Sequence, residues 1–129
     1  MIDGYEENIN KKLDEISGFR HEDIKNLDRD SDETADLVLK MLLGFACQAQ
    51  NDANIVLGRK KIMEINKNWL RLHVIECAES CLDLSDEWEY RRFVELIVLA
   101  LPDLKKSVLA LGENSDNAEI REVVDDFRD

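Results

Sequence analysis

The spacing of the apolar residues is the feature of this sequence that most limits its fold. Apolar side chains recur at intervals of three and four along the chain, whereas alternating β-branched runs are nearly absent. This period places apolar side chains on one face of an α-helix. Only one proline and five glycines occur among the 129 residues, so few positions interrupt the pattern. The sequence therefore predicts a single all-α domain over residues 1–129, with about seven helices stacked as antiparallel hairpins in a helical bundle.

Polar start signals indicate where the helices begin. The first helix is expected from about Tyr5 to Ser17, with Tyr5 on its buried face. Asp30 and Glu33 have the spacing of a capping box. They predict the start of a second helix, which continues to about Ala49 and has so little polar surface that it should be the most buried element.

The later helices follow similar signals. The third begins after the segment QND at 50–52, either Asn66 or Asn68 caps the fourth, and Ser85 caps the fifth. Leu42 and Phe93 lie in the middle of the two most apolar helices. These two residues should therefore mark the centre of the core.

Composition places the chain among soluble globular proteins. Apolar residues make up 44% and charged residues 36% of the sequence. The first twelve residues contain acids and no apolar run, and the longest apolar stretches are shorter than the roughly 20 residues that span a bilayer. Three cysteines without regular spacing favour a reducing compartment over a disulfide framework. We expect a cytoplasmic protein without membrane association.

The net charge of −12 is distributed unevenly. Residues 1–36 hold 12 acids and 5 bases, residues 37–72 hold 2 acids and 6 bases, and residues 73–129 hold 15 acids and 6 bases. Such a field repels phosphate backbones and attracts basic proteins. We therefore expect no nucleic-acid binding and a basic protein partner. A role of the acidity in solubility alone is equally consistent with the composition.

The candidate metal sites have structural alternatives. His73, Cys77 and Cys81 are spaced by four on the fourth helix and carry zinc-ligand groups. Cys77 and Cys81 also continue an apolar stripe, which favours a core position. The acidic loop DRDSDE at 28–33 begins like a calcium-binding loop, but Glu33 and Leu39 stand where that loop needs glycine and glutamate. We expect neither a metal nor a cofactor.

Catalytic motifs are scarce. The chain has two histidines, no Gly-x-Ser-x-Gly sequence and no glycine loop for phosphate. A small helical enzyme using carboxylates between helices, or a metal on the fourth helix, remains the alternative to a non-enzymatic role. A structural subunit of a larger assembly is a third possibility.

The acidic loop and the tryptophans are the candidate binding residues. A dense acidic loop before a buried helix is more often a solvated cap, yet it could also attract a basic partner. Trp88 lies on the fifth helix with arginines and a glutamate, opposite the apolar face. We expect this side to pack internally, and the alternative is an exposed docking patch with Trp69 as a second anchor. The candidate residues are Asp28, Asp30, Asp32, Glu33, Asp36, Trp69, Trp88, Arg91, Arg92 and Glu95.

Two segments share a polar turn followed by apolar residues at helical spacing, and the second of them resembles HEAT-type helical repeats. They are NDANIVLGRKKI at 51–62 and SDNAEIREVVDDF at 115–127. The second has Ile120, Arg121 and Glu122 in the order typical of the inner helix of such a repeat. The resemblance implies a HEAT-like stacking of hairpins and a scaffold that binds other proteins.

In size, helical class and charge the chain is also similar to bacterial immunity proteins that neutralise toxins. The expected function is therefore a non-enzymatic protein-interaction domain, with inhibition of a basic toxin or another basic protein as its most concrete form. We expect a monomer or a weak homodimer.

Overall fold

The computed structural model describes residues 4–128, which form seven α-helices and two 3₁₀ segments and contain no β-strand. The predicted all-α class is therefore confirmed. No helix among these residues is both long enough and apolar enough to cross a membrane. The α-helices are α1 (Gly4–Asp14), α2 (Asp32–Cys47), α3 (Asp52–Met63), α4 (Lys67–Cys81), α5 (Glu87–Ala100), α6 (Lys105–Ala110) and α7 (Ala118–Phe127), and the 3₁₀ segments are His21–Arg29 and Pro102–Leu104.

Helices α2 and α5 organise the bundle. Helix α2 packs against α3, α4 and α5, whereas α5 also packs against α6 and α7. Because other helices surround α2, Leu39, Leu42 and Leu43 have no exposed surface. Phe93 and Tyr90 are equally buried on α5, and the Tyr90 hydroxyl donates a hydrogen bond of 2.9 Å to the Val108 carbonyl. The predicted core position of Leu42 and Phe93 is confirmed.

The contact between α2 and α3 depends on a glycine. A Cβ atom built on Gly58 of α3 would lie 2.7 Å from the backbone nitrogen of Ala46 on α2 and 3.0 Å from the Cβ atom of Phe45. Real Cβ atoms essentially never lie closer than 3.0 Å to another heavy atom, so the first of these contacts is not possible without a shift. Because Gly58 has no side chain, the backbones of α2 and α3 pack directly against each other at this position.

The helix caps correct two of the predicted starts. Helix α2 is capped by the Ser31 hydroxyl, which accepts from the Thr34 amide, so Asp30 and Glu33 do not form the expected capping box. Helix α5 is capped by Asp86, whose carboxylate accepts from the Glu89 amide at 3.1 Å. Ser85 is not the cap because its hydroxyl and its amide both donate to the Asp83 carboxylate.

Other starts agree more closely with the sequence. Asn51 caps α3, and Asn66, one of the two predicted residues, caps α4. Helix α1 ends at Asp14 rather than at Ser17, and the expected burial of Tyr5 is wrong because 46% of this residue is exposed. Its hydroxyl accepts a hydrogen bond of 3.0 Å from the Asn51 side chain. Tyr5 thus lies at the edge of the bundle beside the start of α3.

Candidate functional site

A groove between α2 and α4 gathers charged and aromatic side chains at the surface. Its volume is about 470 Å³. Helix α2 contributes carboxylates and one ammonium group, and α4 contributes aromatic, thiol, hydroxyl and carboxylate groups. The groove is lined by Asp32, Glu33, Asp36, Lys40, Trp69, His73, Glu76, Cys77 and Ser80.

The helical period places the acidic side of α2 over this groove. Asp32, Asp36 and Lys40 are four residues apart and follow one side of the helix. Ala35 and Leu39, one residue earlier than Asp36 and Lys40, are buried in the core. Because the apolar side of α2 is buried in the core, the helix backbone holds Asp32 and Asp36 at the groove.

Helix α4 forms the opposite wall with residues spaced by four, three and four. Trp69, His73, Glu76 and Ser80 follow this period. The rings of Trp69 and His73 stack, with centroids 4.5 Å apart and planes inclined by 27°. Trp69 also packs partly against the core. The two rings are therefore held by packing and form a rigid aromatic part of the wall.

Asp36 is the best-connected group in the groove. Its Oδ2 atom lies 2.8 Å from Nζ of Lys40, and its Oδ1 atom accepts a hydrogen bond of 3.1 Å from the thiol of Cys77. The hydrogen bond from Lys40 is the main cause that holds the pKa of Asp36 below its usual value. Burial raises the pKa of the Cys77 thiol to about 12, with the Asp36 carboxylate adding to the effect. At neutral pH the groove therefore contains a carboxylate and a protonated thiol.

The groove is acidic overall. Four carboxylates, from Asp32, Glu33, Asp36 and Glu76, and one ammonium group line it, so the formal charge is four negative minus one positive, or −3. A concave site with an excess of one sign of charge attracts ions of the opposite sign. The site is therefore suited to a cationic group.

The structure brings together only part of the predicted acidic loop. Asp32, Glu33 and Asp36 line the groove with Trp69, but Asp28 and Asp30 do not. Asp28 is exposed on the first 3₁₀ segment. Asp30 is half-buried, and its Oδ2 atom has no hydrogen-bond partner among residues 4–128. The turn before α2 thus separates these two acids from the groove.

Trp88 and Arg92 lie at a different site. Trp88 is 63% exposed, so the expectation that it packs internally is wrong. The Arg92 guanidinium carbon lies 5.9 Å from the centroid of its ring. Both residues line a second cavity of about 420 Å³, together with Cys47, Gln48, Ala49, Gln50, Asp86 and Glu89. Periodicity correctly separated Trp88 from the apolar face of α5, but no helix within residues 4–128 covers it.

Arg91 and Glu95 take part in ion pairs between helices. Arg91 lies 2.9 Å from the carboxylate of Asp126 on α7. Glu95 lies 2.8 Å from the guanidinium of Arg59 on α3, at a half-buried position. These contacts connect α5 to its neighbours and leave neither residue in the Trp88 cavity. Both side chains therefore contribute to contacts between helices.

A histidine between two carboxylates is the closest approach to a metal site. Among residues 4–128, Asp14, His21 and Glu22 form the one set of three potential ligand atoms within 4.8 Å of one another. The Nδ1 atom of His21 lies 3.0 Å from Asp14, and its Nε2 atom lies 3.1 Å from Glu22. The His21 amide also donates to Asp14 at 2.8 Å. This exposed cluster connects the end of α1 to the first 3₁₀ segment, and the cysteine set on α4 does not converge in the same way.

Sequence reasoning missed several groove residues. The sequence patterns do not predict Lys40 or Glu76 as site residues, and they indicate His73 only as a candidate metal ligand beside the cysteines. The spacing of Trp69, His73 and Glu76 predicts that the three side chains lie on one side of α4. The spacing does not predict that α4 packs against α2, and this packing brings the groove residues of the two helices together.

Comparison with known proteins adds no relative. The chain matches no protein-family model, and no curated protein and no solved structure shows significant similarity to it.

Proposed function

We propose that this protein is a non-enzymatic protein-interaction domain that binds a basic surface of another protein through the α2–α4 groove. The observation that carries this proposal is the presence of Asp32, Glu33 and Asp36 beside Trp69 in one concave site. Tryptophan is a frequent energetic anchor at protein interfaces, and carboxylates select lysine and arginine side chains. Inhibition of a basic toxin, in the manner of a small acidic immunity protein, is the most concrete form of this function.

The state of the thiols supports a non-enzymatic role. Burial raises the pKa of both Cys47 and Cys77 to about 12. The nucleophilic form of cysteine is the thiolate, which is scarce at neutral pH when the pKa is this high. Neither Cys47 nor Cys77 therefore has the lowered pKa of an activated cysteine nucleophile.

The charge of the whole chain supports the choice of partner. The net charge of −12 and the −3 of the groove have the same sign, so the long-range field and the local site attract the same kind of molecule. Attraction of this kind raises the association rate, and salt weakens it as the screening length falls from about 10 Å at 0.1 M to about 3 Å at 1 M. A basic partner should therefore bind faster at low salt.

The test is a native pull-down followed by binding kinetics with the captured protein. The variant Asp32→Lys with Glu33→Lys reverses two groove charges. Asp116→Lys with Glu119→Lys is the matched control, because it changes the net charge equally beside the start of α7, away from the groove. Circular dichroism verifies that both variants fold.

The proposal predicts a captured partner that is basic and associates roughly tenfold more slowly with the groove variant at low salt, with a much smaller effect of the control. An acidic partner, equal effects of the two variants, or an association rate that does not respond to salt would show that the acidity serves solubility.

A further inference from the structure

The α2–α4 groove already contains a cation of its own, and this points to the chemistry of the group that would bind there. We propose that the groove takes the guanidinium group of an arginine in the basic partner, and that the Lys40 ammonium is an internal competitor which the arginine displaces from Asp36. This inference rests on the proposed function and specifies the ligand of the same site.

The contact between Lys40 and Asp36 shows where a cation is held. Nζ of Lys40 lies 2.8 Å from Oδ2 of Asp36, and both residues line the groove. The pair is spaced i,i+4 on α2 and a third or more of each side chain is exposed to solvent. Exposed ion pairs of this spacing are weak, and lysine has a flexible stem with four carbons. The ammonium group can therefore leave Asp36 without disturbing the core.

The other groups in the groove suit a planar cation with many donors. A guanidinium group has five N–H donors in one plane and pairs with carboxylates through two parallel hydrogen bonds. Glu33 and Asp36 supply acceptors from α2, and Glu76 supplies another from α4. Oδ1 of Asp36 already accepts from the Cys77 thiol, so the ligand would use Oδ2, the atom that Lys40 now occupies. An ammonium group has only three donors, all on a single nitrogen, and it cannot pair with a carboxylate through two parallel hydrogen bonds from different nitrogens.

The aromatic wall adds to this preference. Trp69 and His73 are stacked and both line the groove, so their rings lie beside the carboxylates. Guanidinium is more weakly hydrated than ammonium and packs well on aromatic rings. Arginine therefore loses less hydration than lysine when it enters a site with these walls.

Removal of the internal competitor should strengthen binding. Without Lys40 the formal charge of the groove changes from −3 to −4, and Oδ2 of Asp36 becomes available. Lys40→Met keeps most of the side-chain length and removes the charge. The matched control is Lys60→Met, which changes the net charge equally at an exposed position on α3, outside the groove.

The experiment uses the full chain with Trp88→Phe, which leaves Trp69 as the single tryptophan because the sequence contains two. The probes are two amidated peptides of equal length and charge, four repeats of Gly-Arg and four repeats of Gly-Lys. Trp69 fluorescence and titration calorimetry report binding. Lys40→Gln serves as a second variant if Lys40→Met alters the thermal unfolding of the protein.

We expect the arginine peptide to bind roughly tenfold more tightly than the lysine peptide, and Lys40→Met to tighten its binding by a further factor of about ten, with less than about a twofold change for Lys60→Met. Equal affinity for the two peptides, or equal effects of the two lysine variants, would overturn the arginine inference and leave the proposed function standing. If neither peptide binds, the groove is not a cation site, and the inference and the proposed function both fail.

Discussion

Replacing Gly58 with alanine tests how closely α2 and α3 pack. The new Cβ atom would lie 2.7 Å from the Ala46 nitrogen and 3.0 Å from the Phe45 Cβ atom, whereas relaxed contacts between carbon atoms lie at roughly 3.5 to 4.0 Å. The nearest atom belongs to the backbone, so rotation of a side chain cannot relieve the clash. The two helices must separate by several tenths of an ångström.

Two opposing effects set the expected free energy. Overpacking of a close contact costs about 1–3 kcal/mol, and the upper part of this range applies because backbone must move. Alanine in place of glycine inside a helix contributes about 1 kcal/mol in the opposite direction. We therefore expect Gly58→Ala to lower the free energy of unfolding by about 1–2 kcal/mol, measured from urea denaturation followed by circular dichroism.

Gly44 provides the matched control because it is also an interior helical glycine. A Cβ atom there would meet only the Gln48 side-chain oxygen, at 3.4 Å, which is the far end of a flexible side chain. Gly44→Ala should therefore stabilise the protein by about 0.5–1 kcal/mol through helix propensity. The two substitutions are expected to have opposite signs. If Gly58→Ala stabilised the protein as much as Gly44→Ala, the close approach of α2 and α3 would be refuted.

Two further predictions concern the core and its titration. Leu42→Ala and Phe93→Ala should each lower the unfolding free energy by about 2–5 kcal/mol in urea melts, whereas Leu72→Ala, at a position 77% exposed, should change it by less than about 0.5 kcal/mol. Burial raises the pKa of Cys47 and of Tyr90 to about 12, from ordinary values of 9.0 and 10.0. The unfolded chain therefore loses these protons first, so stability is complete below about pH 9 and falls as pH rises towards about 12, by at most about 1.4 kcal/mol per pH unit for each group. Urea melts at several alkaline pH values measure this loss, and a constant unfolding free energy up to about pH 11 would contradict it.

Periodicity correctly located the buried centres of the two most apolar helices, although it failed for Tyr5 at the start of α1. It placed Phe93 and Leu42 in the core because the apolar face of an α-helix must be covered somewhere, whatever covers it. It was less reliable at helix ends. Ser85 and Asp86 are adjacent and both suitable as caps, and the choice depends on Asp83, which binds the hydroxyl of Ser85. Residue preferences at helix starts do not predict which of two neighbouring residues is the cap, because they do not include hydrogen bonds to a third residue such as Asp83.

The exposure of Trp88 shows a second limit. The sequence placed this residue opposite the apolar face of α5, but whether another helix covers that side depends on how α3 packs there. In the structure α3 meets α5 through the ion pair of Arg59 and Glu95, and Trp88 stays exposed. A tryptophan outside the apolar stripe is therefore not by itself a sign of a second packed layer.

The sequence indicates several of the residues that line the groove, but it does not predict the helix packing that brings them together. The sequence indicates Asp32, Glu33 and Asp36 as candidate acids near the start of a buried helix, and it indicates Trp69 separately as an aromatic anchor. Their meeting requires α2 and α4 to pack side by side, although α3 lies between them in the chain. This packing follows from the burial of both apolar faces, since a helix as apolar as α2 must be covered by more than its neighbours in sequence. The core therefore determines the geometry of the groove, while the charged residues that give the groove its acidity lie outside the core. Substitutions in the groove should for this reason change binding more than folding, which is the condition that the charge-reversal and lysine variants need in order to be informative.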